Sequence, residues 1–186
     1  EIGYRLKGNR IEVMWSVQNC GDKDLYFQIG AHPAFYYRDL DANTCERGFL
    51  DFGKNTKTLK YISPAEKGCV SEKEHTLELH DGLMELTSDT FGCDTYIFEN
   101  GQVKKITLMD KQKAPYLSLE FSSPLVAVWS PSAAHPDAPF VCIEPWYGRC
   151  DKVGYHGEFK DREWMQHVEP GKSFEVGYSI ILEDVK

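Results

Sequence analysis

Apolar and polar residues alternate along much of this chain. In Arg10–Gln18, the side chains of Ile11, Val13, Trp15 and Val17 fall on one face. Leu117, Leu119 and Phe121 repeat the pattern, and Phe174, Val176, Tyr178, Ile180 and Leu182 form a longer stripe. A period of two is the signature of a half-buried strand. Further strands are expected near 24–31, 57–62, 76–80, 83–88, 94–99, 103–109, 125–130 and 139–144. Turn-forming residues separate them at 7–10, 20–22, 99–102 and 169–172. Asn100-Gly101 predicts a tight hairpin joining 94–99 to 103–109. No long amphipathic helix is visible. Residues 63–66 cap a single helical turn at most, and 131–139 reads as a loop. Many short strands with frequent turns predict an all-β sandwich or barrel.

A chain of 186 residues is read as one domain, 1–186, with no linker or low-complexity tract. Its 41% hydrophobic and 13% aromatic content excludes a disordered polymer. The net charge of −8 argues against a nucleic-acid partner, which normally calls for a basic footprint. No apolar window is long enough to span a membrane, so no membrane partner is expected. The six cysteines form no Cys-x-x-Cys, so no structural metal is expected. Strand-like residues flank most of them, which predicts small buried thiols and a reducing, cytoplasmic location.

Two short motifs carry the candidate chemistry. Each sets an ionisable residue before a proline: His32 in Gly30-Ala-His-Pro-Ala-Phe35, and Glu144 in Ile143-Glu-Pro-Trp-Tyr-Gly-Arg149. Proline biases the preceding residue toward extended backbone and stiffens the chain. His32 and Glu144 are therefore expected at stiff strand ends, flanked by aromatics. Such a pair suits acid/base work on a sugar-like molecule. Taken singly, each motif has a plainer reading: a strand-end histidine bonded to a carbonyl, and a surface carboxylate beside a core tryptophan. Trp146 offers a flat face to a pyranose ring or a core side chain, and Phe35 a pocket wall or the same. His75, His80, His135, His156 and His167 read as solvated.

Together with Cys93-Asp-Thr-Tyr-Ile-Phe-Glu99, Val128-Trp-Ser130 and the block 140–151, these motifs make nearly the whole chain resemble the aldose 1-epimerase (galactose mutarotase) family, LacX-like subgroup. The resemblance implies a galactose-mutarotase-like super-sandwich of antiparallel strands, present in part. It implies interconversion of the α and β anomers of an aldohexose, free or phosphorylated, without a metal or organic cofactor. Glu144 would be the base at the anomeric hydroxyl and His32 the acid at the ring oxygen. Asp94 would hydrogen-bond sugar hydroxyls, or simply occupy a strand edge. Arg149 would either pair with Asp151 or reach an anionic substituent such as a 6-phosphate. The family carries earlier strands with an arginine and a second histidine that have no counterpart here, so the chain reads as N-terminally truncated. Two alternatives stay open: a carbohydrate-binding module without turnover, or an inactive fragment. In either form an exposed strand edge is expected to favour a homodimer.

Overall fold

The computed structural model describes residues 1–183, the Lys67 side chain apart. The first strands are β1 (Ile2–Lys7), β2 (Arg10–Gln18), β3 (Leu25–Phe27), β4 (Ile29–Gly30), β5 (Ala34–Tyr36) and β6 (Glu46–Asp51). They are followed by β7 (Thr58–Tyr61), β8 (His75–Glu78), β9 (Leu83–Thr87), β10 (Tyr96–Phe98) and β11 (Lys105–Met109). The series closes with β12 (Pro115–Phe121), β13 (Leu125–Trp129), β14 (Phe140–Tyr147), β15 (Gln166–Val168) and β16 (Ser173–Leu182). A seven-stranded sheet runs in the order β1-β2-β16-β12-β11-β6-β9. A five-stranded sheet runs β10-β13-β14-β4, with β5 also paired to β14. All paired strands are antiparallel, as the all-β reading expects. Among the described residues no helix is long and apolar enough to cross a membrane.

Register explains why three separate stripes make one surface. Val176 pairs with Trp15, Tyr178 with Val13 and Ile180 with Ile11. On the other side of β16, Tyr178 meets Phe121 and Ile180 meets Leu119. Successive strand residues point to opposite faces, so these apolar sets share a side. The facing sheet contributes Phe98, Val126, Val128, Val141 and Ile143 to the same core. Leu50, Leu86, Ile106, Leu108 and Leu119 are completely buried there. Each such side chain stabilises the fold by roughly 1.5–3 kcal/mol through loss of water contact.

Several expectations need correction. Asn100 and Gly101 do adopt the left-handed backbone of a tight turn, with φ of 63° and 62°. The flanking strands nevertheless do not pair: β10 bonds β13, while β11 bonds β12 and β6. The turn carries the chain from one sheet to the other, because Phe98 and Ile106 both bury in the core between them. Leu182, the last of its stripe, is 37% exposed. Ser63 caps nothing; the 3-10 turn that follows it, Glu66–Gly68, has no side-chain cap. All six cysteines are free, and only Cys142 is buried, so the expected set of buried thiols reduces to one.

Candidate active site

The site is built where β4 and β5 meet β14. Gly30 pairs with Trp146, and Ala34 pairs with Cys142. The register carries through the gap, because Ala31 N–H donates to the Pro145 carbonyl at 3.1 Å and Ile143 N–H to the Pro33 carbonyl at 3.3 Å. His32 therefore lies across from Glu144. Pro33 and Pro145 lack the N–H groups that would complete the ladder. One extended segment is thereby split into two short strands, and the histidine is set in the interruption.

Parity decides which face this is. Val141 and Ile143 point into the main core, so Cys142, Glu144 and Trp146 point the other way. On β13, Ala127 sits opposite Glu144 and Leu125 opposite Trp146. Ala127, Leu125, Ile97, Ile62 and Val70 form a second, small apolar cluster. A cleft of about 490 Å³ opens over this face, lined by His32, Thr95, Ile97, Glu144, Trp146 and Arg149 among others.

His32 Nε2 stands 3.4 Å from Glu144 Oε1. The imidazole is 63% exposed, whereas the carboxyl is 3% exposed. Burial pushes the Glu144 carboxyl up to about 8, against a smaller opposing effect of the Trp146 indole N–H. The cause is physical: a charge in apolar surroundings loses hydration that its polar neighbours only partly replace. Trp129 meets the His32 ring edge-on at 6.0 Å between centroids. It was visible in the sequence only as part of a short motif, and its place beside His32 follows from its pairing with Cys142.

Trp146 is fixed as well as placed. Its indole N–H donates to the Ala31 carbonyl at 3.1 Å. Its ring lies so close to Gly30 that a Cβ there would come within 2.5 Å of Cδ1. Gly30→Ala is accordingly expected to push the indole from its seat and destabilise the protein by about 1–3 kcal/mol, the usual cost of overpacking. Urea unfolding followed by tryptophan emission measures this; an unchanged midpoint would show the ring free to shift.

The remaining sequence candidates divide. Asp94 is exposed, with a left-handed φ of 71°, and accepts from the Thr95 hydroxyl at 2.8 Å, which puts it beside a cleft-lining residue. Phe35 does not line the cleft; it packs against the main core, because its position opposite Val141 gives it the inward parity. Arg149 does line the cleft, but its guanidinium is 1% exposed and fully engaged. Nε donates to Glu99 at 2.6 Å, Nη1 to the Cys150 carbonyl at 2.8 Å, and Nη2 to Glu163. It does not pair with Asp151, which is held by Arg162 at 2.7 Å. Two carboxylates neutralise the cation, which removes the basis for reading it as a phosphate anchor. The same Glu99 carboxylate accepts from Trp164 at 2.8 Å, so the network ties the segment after β14 to the end of β10.

The donor atoms of His32, Cys142 and Glu144 lie within 4.8 Å of one another, a set of a kind that holds metal ions. Burial, reinforced by Glu144, pushes the Cys142 thiol up to about 12, so it is a thiol rather than a ready thiolate ligand. A larger groove of about 630 Å³ on the seven-stranded sheet holds Arg10, Lys105 and Glu120, which pair with one another at 2.8 and 3.6 Å. Its charged groups are mutually satisfied, unlike the His32–Glu144 pair, which faces open space.

The antiparallel sandwich, with a histidine and a buried carboxyl facing each other on its outer sheet face, is similar to known proteins. A galactose mutarotase related enzyme from Lactobacillus acidophilus superposes with a TM-score of 0.85 at 26% identity, over 100% of this chain and 61% of that one. A galactose mutarotase-like protein from Lactobacillus casei gives 0.82 at 22% identity, over 98% and 62%. In sequence the chain is 24% identical over 184 residues to the chromosomal LacX protein of Lactococcus lactis subsp. lactis. No protein-family model matches. The chain is thus similar to LacX proteins in sequence and shares the fold of galactose mutarotase-like proteins. It spans 97% of its own length in that match and 60% of LacX.

Proposed function

We propose that this protein binds an aldohexose in the cleft over β14 and interconverts its anomers through His32 and Glu144. One observation carries the reading: the two side chains face each other at 3.4 Å on the cleft floor, one exposed and one buried. Ring opening needs a base at the anomeric hydroxyl and an acid at the ring oxygen, two atoms bonded to the same carbon. In the reactive state the pair holds one proton, on His32. Glu144 takes the proton of O1 as the C1–O5 bond breaks and the C1 carbonyl forms. His32 Nε2 delivers its proton to O5. The chain turns about C1–C2, and closure on the other carbonyl face runs the same transfers backward. Protons balance at each stage, so no metal or organic cofactor enters. Trp146 and Ile97 offer the apolar faces against which sugar C–H groups pack. Thr95 and Asp94 supply hydroxyl partners at the rim.

The direct test is anomer exchange of glucose and galactose, read by NMR against the spontaneous rate. Enhancement that saturates with sugar supports the proposal; a rate equal to the buffer's sinks it. A second reading, binding without turnover, draws support from the chain's span of 60% of LacX, because contacts supplied by the remaining length count toward positioning. Saturable binding of the same sugars with no enhancement is its signature.

A pH dependence follows from the single shared proton. Above about 8 the buried carboxyl gives up its proton with no charged neighbour to replace it. The pair then lacks an acid, so exchange should fall as pH rises through that value. A profile of kcat/KM still climbing at pH well above 8 would reverse the assignment of roles.

A further inference from the structure

Cys142 is the one buried thiol of the six, and the proton transfers proposed above do not use it. It shares a face of β14 with Glu144, two residues further along, and it pairs with Ala34, two residues after His32. We propose that His32, Cys142 and Glu144 form a binding site for a zinc-class divalent cation, and that the bound ion takes both members of the acid/base pair out of service. The second half of that statement rests on the proposed anomer exchange; the site itself does not.

Three donors converge from two neighbouring segments of the sheet. One ligand atom of each side chain lies within 4.8 Å of the other two. Around zinc, bonds of about 2.3 Å to sulfur and about 2.0–2.2 Å to nitrogen and oxygen set ligand atoms roughly 3.3–3.6 Å apart at tetrahedral angles. His32 Nε2 and Glu144 Oε1 already stand 3.4 Å apart. The remaining approach is about 1.3 Å at most. The exposed imidazole has room to make it, since it lines the cleft. The same opening leaves the fourth coordination position to water, as in zinc sites with three protein ligands.

Charge decides which ion suits the site. Each anion alone is costly on this floor: burial raises the Glu144 carboxyl to about 8 and, with Glu144 beside it, the Cys142 thiol to about 12. A divalent cation alters that. It displaces to solvent the proton of the thiol and the proton that His32 and Glu144 share. One thiolate, one carboxylate and one neutral imidazole then hold it, so the ligand charges cancel the charge of the ion. Buried charges are tolerated where they coordinate a metal. Thiolate and imidazole favour zinc, whereas magnesium and calcium take oxygen ligands.

Cobalt(II), which replaces zinc and absorbs visibly when bound to a thiolate, is the probe. Titration of the whole chain should raise a thiolate-to-cobalt charge-transfer band that saturates at an equimolar ratio and is bleached by zinc. Cys142→Ser should lose the band. His32→Ala should weaken cobalt binding by about 10–100-fold or more, because even the loss of a supporting group costs a metal site that much. His32 is 63% exposed, so this second variant guards against mistaking a folding defect for a lost ligand. A parent without the band would overturn the proposal. So would a band that survives Cys142→Ser, which would place the metal on the exposed cysteines, or binding indifferent to His32→Ala. The band needs no turnover, so a chain that exchanges no anomers still decides the site. Where exchange is catalysed, zinc should suppress it in step with binding. Exchange undiminished with the site full would overturn the claim that the metal occupies the pair.

Discussion

Glu144→Gln is expected to slow anomer exchange by about 10²–10⁴-fold, the range typical of a positioned acid/base group. The substitution keeps the side chain's length and its place on β14, opposite Ala127 on one side and His32 on the other. It removes only the capacity to accept and return a proton. KM should therefore move little while kcat collapses, the pattern of an interaction used in the transition state. His32→Asn should behave alike, although its 63% exposure allows solvent to replace part of its role. Because the two groups share one proton, the double variant should be scarcely slower than the worse single one. NMR exchange measured at several sugar concentrations separates kcat from KM. Turnover within a few-fold of the parent in Glu144→Gln would place the chemistry elsewhere in the cleft.

The pairing of His32 with Glu144 was legible in the sequence because it was written twice. Each residue precedes a proline, each proline removes a ladder donor, and the aromatics around them mark an apolar floor. The positions of many strands likewise needed only the turn residues and period-two stripes. The missed elements share a different cause. Strand β6, Glu46–Asp51, shows no alternation because Arg47, Gly48 and Leu50 are all buried and a bulge falls between Glu46 and Gly48. Arg149 was set beside Asp151 by nearness along the chain. Its true partners, Glu99 and Glu163, are 50 and 14 positions away, and only the packing of β10 against β13 and β14 brings them in. Phe35 stayed open between pocket wall and core because its parity could not be known until its register with Val141 fixed it. Local chemistry is readable residue by residue, whereas ion pairs and facing depend on which strands become neighbours.

The buried carboxyl should also leave a mark on stability, and of opposite sign to its effect on rate. Folded Glu144 titrates at about 8, against an ordinary value of 4.5. Below the ordinary value both folded and unfolded chains hold the proton, and its contribution to stability is fully present. Between the two values the unfolded chain releases the proton while the folded one keeps it. Stability then falls by up to about 1.4 kcal/mol per pH unit, and the loss is complete once pH passes the folded value. The whole span amounts to on the order of 5 kcal/mol. Gln cannot ionise, so Glu144→Gln should lack this slope. Relative to the parent, the variant is expected to gain stability steadily from pH 5 to pH 8, roughly the span of the shift. Other titrating groups are common to both proteins and cancel in the difference. Urea unfolding at half-unit steps of pH measures it. A difference that stays flat across that range would show that Glu144 is solvated in the folded protein, and would remove the apolar floor from the account of the site.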